Sequence, residues 1–277
     1  MHMSVLEQIF TWKKEEVFHL MAQTPLQRVI EQAERAPAAL DFIAALRARR
    51  APALIAEIKR ASPSRGDLAP QLDACALAEI YAANGAAAVS VLTDKRYFHG
   101  SLDDLRTVRR EFPSLPLLRK DFIFHIYQLY QARAAGADAV LLIAAYLQPE
   151  ALYHLHATAQ QLGMAALVEV HDRQELEAAL ECSPRLVGIN NRNLHDFRVN
   201  LETTLALRPH VPAEMCLVAE SGFHSRQDVE RVRPKGEAAQ GGVDAILVGE
   251  ALLTAADIAG KVREMANVIP GAAANSA

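Results

Sequence analysis

Cysteine is scarce in this chain of 277 residues: Cys75, Cys182 and Cys216 are its three, and none stands in a CxxC spacing. That usage excludes a disulfide scaffold and a cysteine zinc site, and it predicts a reduced, cytoplasmic setting. There is no signal-peptide pattern and no 18-residue apolar run, so neither secretion nor a membrane association is expected. A net charge of −4 and a pI near 6.2 give no basic footprint for nucleic acid; the short cluster Arg47-Ala48-Arg49-Arg50 reads as a solvated helix end. A dinucleotide fingerprint is also missing, because Ser62-Pro63-Ser64-Arg65-Gly66 follows the first apolar stretch. The ten histidines are scattered, and His154 and His156 sit two apart in a helix-like run, facing different directions; no metal site is expected.

What the chain does contain is a repeated pattern of short apolar stretches. Leu54–Lys59, Ala88–Thr93, Leu117–Lys120, Ala139–Ile143, Ala166–Val170, Leu186–Asn190, Leu217–Glu220 and Ala245–Val248 each end in polar residues or glycine and lead into a helix-like run. Alternating βα units of this kind build a parallel sheet. An internal echo supports the count: Gly85-Ala86-Ala87-Ala88, Gly136-Ala137-Asp138-Ala139 and Gly242-Val243-Asp244-Ala245 each join a helix end to a strand, with the glycines suited to helix C-caps. Their spacing implies a unit of roughly 26 residues, and eight such units make a (β/α)8 barrel, an α/β fold, rather than a doubly wound open sheet.

With 51% hydrophobic residues the chain has ample core, and residues 1–267 read as one barrel domain that includes a helical extension over about residues 1–50. In that extension Val5, Ile9, Phe10, Val17, Leu20 and Met21 fall near one face, and Thr24-Pro25 reads as a cap and first-turn proline for Leu26–Ala33. The apolar face suits either the barrel bottom or its mouth. Residues 268–277 turn to Ala, Asn, Ser and Gly with one Pro, and read as a frayed, flexible tail.

Barrel enzymes work at the C-terminal ends of their strands. On the first strand Glu57 and Lys59 are two apart and therefore share a face, which brings a carboxylate and an ammonium together; a structural ion pair is the competing reading. Lys120 ends the third strand, where an ammonium can protonate or hold an oxyanion, whereas Arg119 beside it reads as an ordinary surface cation. Glu169, flanked by valines at the end of the fifth strand, is a general-base candidate. Asn190 and Arg192 follow the sixth strand and suit hydroxyls and a carboxylate, while Asn193 fits a turn. Glu220-Ser221-Gly222 and Gly249-Glu250 follow the seventh and eighth strands, where small residues let backbone N–H groups approach a phosphate. The residues alone therefore point to a phosphorylated anionic small molecule and to acid/base chemistry.

Those residues carry a resemblance. Ile55-Ala56-Glu57-Ile58-Lys59-Arg60-Ala61-Ser62-Pro63-Ser64 resembles the signature of indole-3-glycerol-phosphate synthase. Leu118-Arg119-Lys120-Asp121-Phe122, Leu167-Val168-Glu169-Val170, Gly188-Ile189-Asn190-Asn191-Arg192-Asn193 and Ala219-Glu220-Ser221-Gly222 extend the likeness in order, as does the segment from Leu92 to Ser101. The resemblance covers residues 5 to about 265. It implies a (β/α)8 TIM barrel with its N-terminal helices over the mouth, and a ring closure in tryptophan biosynthesis that needs no cofactor. The implied substrate, 1-(2-carboxyphenylamino)-1-deoxyribulose 5-phosphate, loses carbon dioxide and water to give indole-3-glycerol phosphate.

By the same resemblance Lys120 is the general acid, Glu169 the general base and Glu57 a supporting carboxylate, while Lys59 pairs with substrate anions and competes with Lys120 as proton donor. Ser62, Asn190 and Arg192 would orient the substrate, Phe98 and Phe122 would pack on its ring, and Glu220, Ser221, Gly222, Gly249 and Glu250 would frame the sugar-phosphate end. Glu250 departs from the serine of some family members, so its backbone N–H is expected to face the ligand and its carboxylate to turn away. The connection Arg233–Gly241 looks long, on the face opposite catalysis. Two rival readings remain: a related phosphosugar barrel such as phosphoribosylanthranilate isomerase, and a catalytically silent phosphosugar-binding module. Docking to other pathway enzymes and oligomeric state leave no mark in the sequence.

Overall fold

In the computed structural model, which describes residues 4–49, 52–194, 197–233 and 242–266, the eight apolar stretches are the eight parallel strands of one closed barrel. They are β1 Ala53–Ile58, β2 Ala88–Leu92, β3 Leu117–Lys120, β4 Ala139–Ile143, β5 Ala165–Val170, β6 Leu186–Asn190, β7 Cys216–Glu220 and β8 Ala245–Val248. Each boundary falls within one residue of the expected one. Helices α4 Ala74–Ala83, α6 Leu102–Glu111, α7 Ile126–Ala134, α8 Pro149–Gln161, α9 Arg173–Leu180, α10 Glu202–Leu207, α11 Arg226–Val232 and α13 Ile258–Met265 join the strands, with the short α5 Lys95–Phe98 and α12 Glu250–Leu253 in the loops after β2 and β8. The tail from residue 268, and the Arg233–Gly241 connection beyond Arg233, lie outside the described residues.

The internal echo has a physical basis. Gly85 and Gly136 take φ of +105° and +88°, and the N–H groups of Ala86 and Ala137 donate back to Tyr81 and Ala132 carbonyls, as in a Schellman helix end. Asp138 and Asp244, at matching places in two repeats, each accept the N–H of the residue that starts or nearly starts the strand before, Leu117 and Leu217, both at 2.8 Å. In these two repeats a carboxylate thus pins adjacent strands at the barrel's N-terminal end, whereas the repeat after Gly85 has Ala87 at that place.

Alternation divides the apolar residues into two layers. Leu54, Ala56 and Ile58 of β1, like Val89 and Val91 of β2, face the surrounding helices. Ile55, Leu118, Leu141, Leu167, Leu186, Val218 and Leu247 fill the barrel interior. The same parity sends Glu57, Lys120, Glu169 and Glu220 inward two residues further toward the mouth, and Asn190 four.

The N-terminal extension serves both ends of that column. Helix α1, Val5–Gln23, lies at the mouth, where Phe10 stacks on Tyr146 at a centroid distance of 3.4 Å and meets Phe122 edge-on at 5.4 Å. Helix α3, Phe42–Arg47, plugs the opposite end with Phe42, Ile43 and Leu46. Bottom and mouth are therefore both covered, by different helices. Ser4 and Glu7 form a capping box on α1, whereas α2, Leu26–Arg35, begins at Pro25 without a side-chain cap; Thr24 ends α1 instead of capping α2, because its N–H donates to the Leu20 carbonyl. No helix among the described residues is long and apolar enough to cross a membrane.

Candidate active site

The strand ends enclose a cavity of about 520 Å³ that is lined by all fourteen residues expected at the site, and by Val5, Leu6 and Ile9 from α1. Glu57 and Lys59 share a face, as their spacing requires, and close an ion pair of 2.6 Å. Gly249 makes that possible: a Cβ there would lie 2.4 Å from Glu57 Oε1. Across the cavity Lys120 Nζ stands 3.3 Å from Glu220 Oε2 and 3.6 Å from Glu169 Oε2. Gly188 leaves the room Glu220 needs, since a Cβ would approach Glu220 Oε1 to 2.3 Å. Glu220 therefore sits in the charged cluster around Lys120.

Three carboxylates and two ammonium groups in one buried space shift one another. Burial pushes Glu57 up, but Lys59 and Lys120 outweigh it and hold the group net below the usual carboxylate range. Burial also opposes ionisation of Glu169, and Lys120 with His171 again brings the net shift downward. Glu220 goes the other way: burial, with Glu169 and Glu57 nearby, exceeds the pull of Lys120 and raises it to about 8. Burial would lower Lys120, yet the surrounding glutamates raise it, so its ammonium is retained at neutral pH. Of the three acids, one is held neutral and two ionised, the separation that acid/base sites exploit.

At the other side of the mouth, Phe98 and Phe122 lie with ring centroids 5.9 Å apart. Arg192 donates its backbone N–H to Asn190 Oδ1 at 3.0 Å, and Asn191 ties the β6 and β7 ends together by donating to the Ser221 carbonyl at 3.1 Å. The Asn193 carbonyl accepts from the Phe197 N–H at 3.0 Å. Ser62 lies in the short hairpin after β1, 3.5 Å from Ser64 Oγ. Ser221 and Gly222 both take left-handed φ, +67° and +88°.

Two expectations need correction. Glu250 does not turn its carboxylate away from the mouth; Arg65 holds it at 2.9 Å and Arg192 stands 3.9 Å away, two cations that offset its charge. Arg119 is no surface cation. It is buried, donating to Thr93 Oγ1, the Gln128 carbonyl and Asp121 Oδ2, because its odd parity on β3 points it away from the interior and under the flanking helices.

Three features went unforeseen. Lys13 is buried on α1, with Nζ 2.8 Å from Asp94, 3.1 Å from Asp121 and 2.6 Å from Glu16; it interrupts the apolar stripe between Phe10 and Val17, which was its visible signal. His171 stands 3.3 Å from Glu169, and the i, i+2 rule applied to Glu57 and Lys59 also applies to this pair. Arg65 carried no signal, since a hairpin-tip arginine ordinarily faces solvent.

Comparison with known proteins identifies the pattern. The family model for indole-3-glycerol phosphate synthase matches residues 6–265. An indole-3-glycerol phosphate synthase of Roseiflexus castenholzii is 51% identical over 269 residues, covering 95% of this chain and 98% of that protein. One of Dehalococcoides mccartyi strain 195 is 46% identical over 264 residues, with 94% and 99% covered. Among solved structures, KGPDC from Streptococcus mutans superposes with a TM-score of 0.57 at 13% identity, covering 76% of this chain and 94% of that one, a likeness of fold.

Proposed function

The chain belongs to the indole-3-glycerol phosphate synthase family, and from that premise we propose that Lys120 and Glu169 divide the acid and base work of its reaction. The enzyme closes the pyrrole ring of 1-(2-carboxyphenylamino)-1-deoxyribulose 5-phosphate, with loss of carbon dioxide and water, to give indole-3-glycerol phosphate. The observation that carries the division of roles is Lys120 held as an ammonium between Glu169 and Glu220 at the buried mouth.

The ring carbon bearing the carboxylate attacks the ketone carbon, and Lys120 gives a proton to the ketone oxygen as the C–C bond forms. Carbon dioxide leaves from that ring carbon and restores aromaticity. The new hydroxyl then takes a second proton, from Lys120 reprotonated by solvent, and departs as water while Glu169 takes the proton from the neighbouring carbon. Lys59, fixed by Glu57, supplies positive charge to substrate anions. Arg192, Asn190 and Ser62 orient the carboxylate and hydroxyls, and Phe98 and Phe122 receive the aromatic ring. Ser221, Gly222, Gly249 and the Glu250 backbone take the phosphate, with Arg65 compensating the Glu250 carboxylate. Residues 1–267 act as a single domain in this reading, since α1 lines the cavity and α3 closes the barrel below it.

Mixing the protein with this substrate and following indole fluorescence together with carbon dioxide release tests the reading. Equal amounts of both products are expected. Binding without either would overturn it.

A further inference from the structure

His171 is a buried titratable group for which the reaction above has no use. It lies one residue beyond β5, its side chain only 10% exposed, between two carboxylates. On one side Glu175 Oε2 meets both its backbone N–H, at 2.8 Å, and its ring Nδ1, at 3.0 Å. On the other, Nε2 stands 3.3 Å from Glu169 Oε1, within ion-pair reach although off hydrogen-bond alignment. Glu175 is itself fixed: it is the third residue of α9, and its N–H donates to the Asp172 cap at 2.8 Å. A carboxylate anchored by a helix cap therefore clamps the imidazole from behind and aims its other nitrogen at Glu169.

We propose that His171 is a positioning residue for Glu169: locked by Glu175, it turns one carboxylate oxygen of Glu169 aside and leaves the other facing Lys120 and the substrate. The inference rests on Glu169 being the base of the dehydration step. Burial alone would lower the His171 pKa, but Glu169 and Glu175 raise it to about 10, so the ring is an imidazolium at neutral pH. The groups that face this pair are Glu175 from α9 behind the ring, Lys120 from β3 and Glu220 from β7 beyond Glu169, and Asn190 from β6 at the Glu169 carboxylate. With the imidazolium removed, only Lys120 still opposes protonation of Glu169 among these cations. The base then protonates at higher pH, and dehydration loses its acid-side activity first.

The test uses the full-length protein as wild type, His171→Gln, Glu175→Gln and Glu169→Gln. Single-turnover indole formation is followed from pH 3 to 9, and NMR of ring-labelled histidine reports the protonation of His171. His171→Gln should move the acid limb upward by about one pH unit with KM changed less than about twofold. Glu175→Gln should move it the same way by less and bring the His171 titration down toward neutrality. A His171 ring that is already neutral at pH 7 in the wild type overturns the proposal, as does an unmoved acid limb in a folded His171→Gln protein while Glu169→Gln is inactive. Full activity in Glu169→Gln would instead remove the base itself, and the proposal with it.

Discussion

The two ends of this barrel are closed by the same N-terminal extension in opposite ways. Below, α3 inserts Phe42, Ile43 and Leu46 into the interior column with no charge among them. Above, α1 brings Phe10 but also Lys13, whose ammonium meets Asp94, two residues beyond β2, and Asp121, the residue after β3. Beneath that helix stand five more ionisable side chains, Glu57, Lys59, Lys120, Glu169 and Glu220. An apolar plug stabilises by burial alone, whereas buried charges contribute little net stability and are justified by what they hold or do. The lower end maintains the fold and the upper end spends some of its stability on chemistry.

The contrast breaks hardest at Lys120. Lys120→Ala and Glu169→Gln should each raise the barrier by about 2–5 kcal/mol in kcat with much smaller changes in KM, measured by indole fluorescence; matched losses in binding would make them mere anchors. Next is Lys13→Met, which strands the buried Asp94, leaves Asp121 with Arg119 as its one cation, and should cost about 3 kcal/mol of folding stability at pH 7. Burial pushes Asp121 up, but Lys13 and Arg119 pull it well below the usual carboxylate range. A depressed carboxylate contributes stability that is present above its unfolded pKa of about 4 and is lost as pH falls below it. Urea melts of Lys13→Met should therefore converge on the parent's in that acid window.

At the lower end Leu46→Ala should cost about 2–4 kcal/mol of stability from lost burial and the remaining cavity, yet leave kcat and KM of the folded enzyme unchanged. A fall in kcat there would blur the division between the ends. The smallest effect is expected at Arg65, whose side chain is 61% exposed. Arg65→Ala should raise KM less than about fivefold by uncovering Glu250 near the phosphate, and more at low salt than at high; Glu250→Ser should lower KM.

The sequence made the barrel legible because eight strands buried on both faces read as continuous apolar stretches, and the repeat spacing fixed their number. Lys120 and Glu169 stood out as charges at strand ends, and side-chain parity placed them together. Arg119 was misread because parity alone does not say that the outward face is itself covered by helices. Lys13 and Glu250 depended on partners far along the chain, Asp94 and Asp121 for one and Arg65 for the other, and no local spacing encodes such pairings. The role of Gly249 was partly hidden for the same reason: the space its missing Cβ leaves is filled by Glu57 from the neighbouring strand.

The most direct test of the central claim is a crystal structure with a substrate analogue whose ketone has been reduced to an alcohol, so that ring closure cannot occur. The alcohol oxygen is expected within about 3 Å of Lys120 Nζ, the aromatic ring against Phe98 and Phe122, and the phosphate beside Gly222 and Gly249. An analogue bound with its phosphate at Lys120, or with Lys120 still spanning Glu169 and Glu220 and touching no ligand atom, would contradict it.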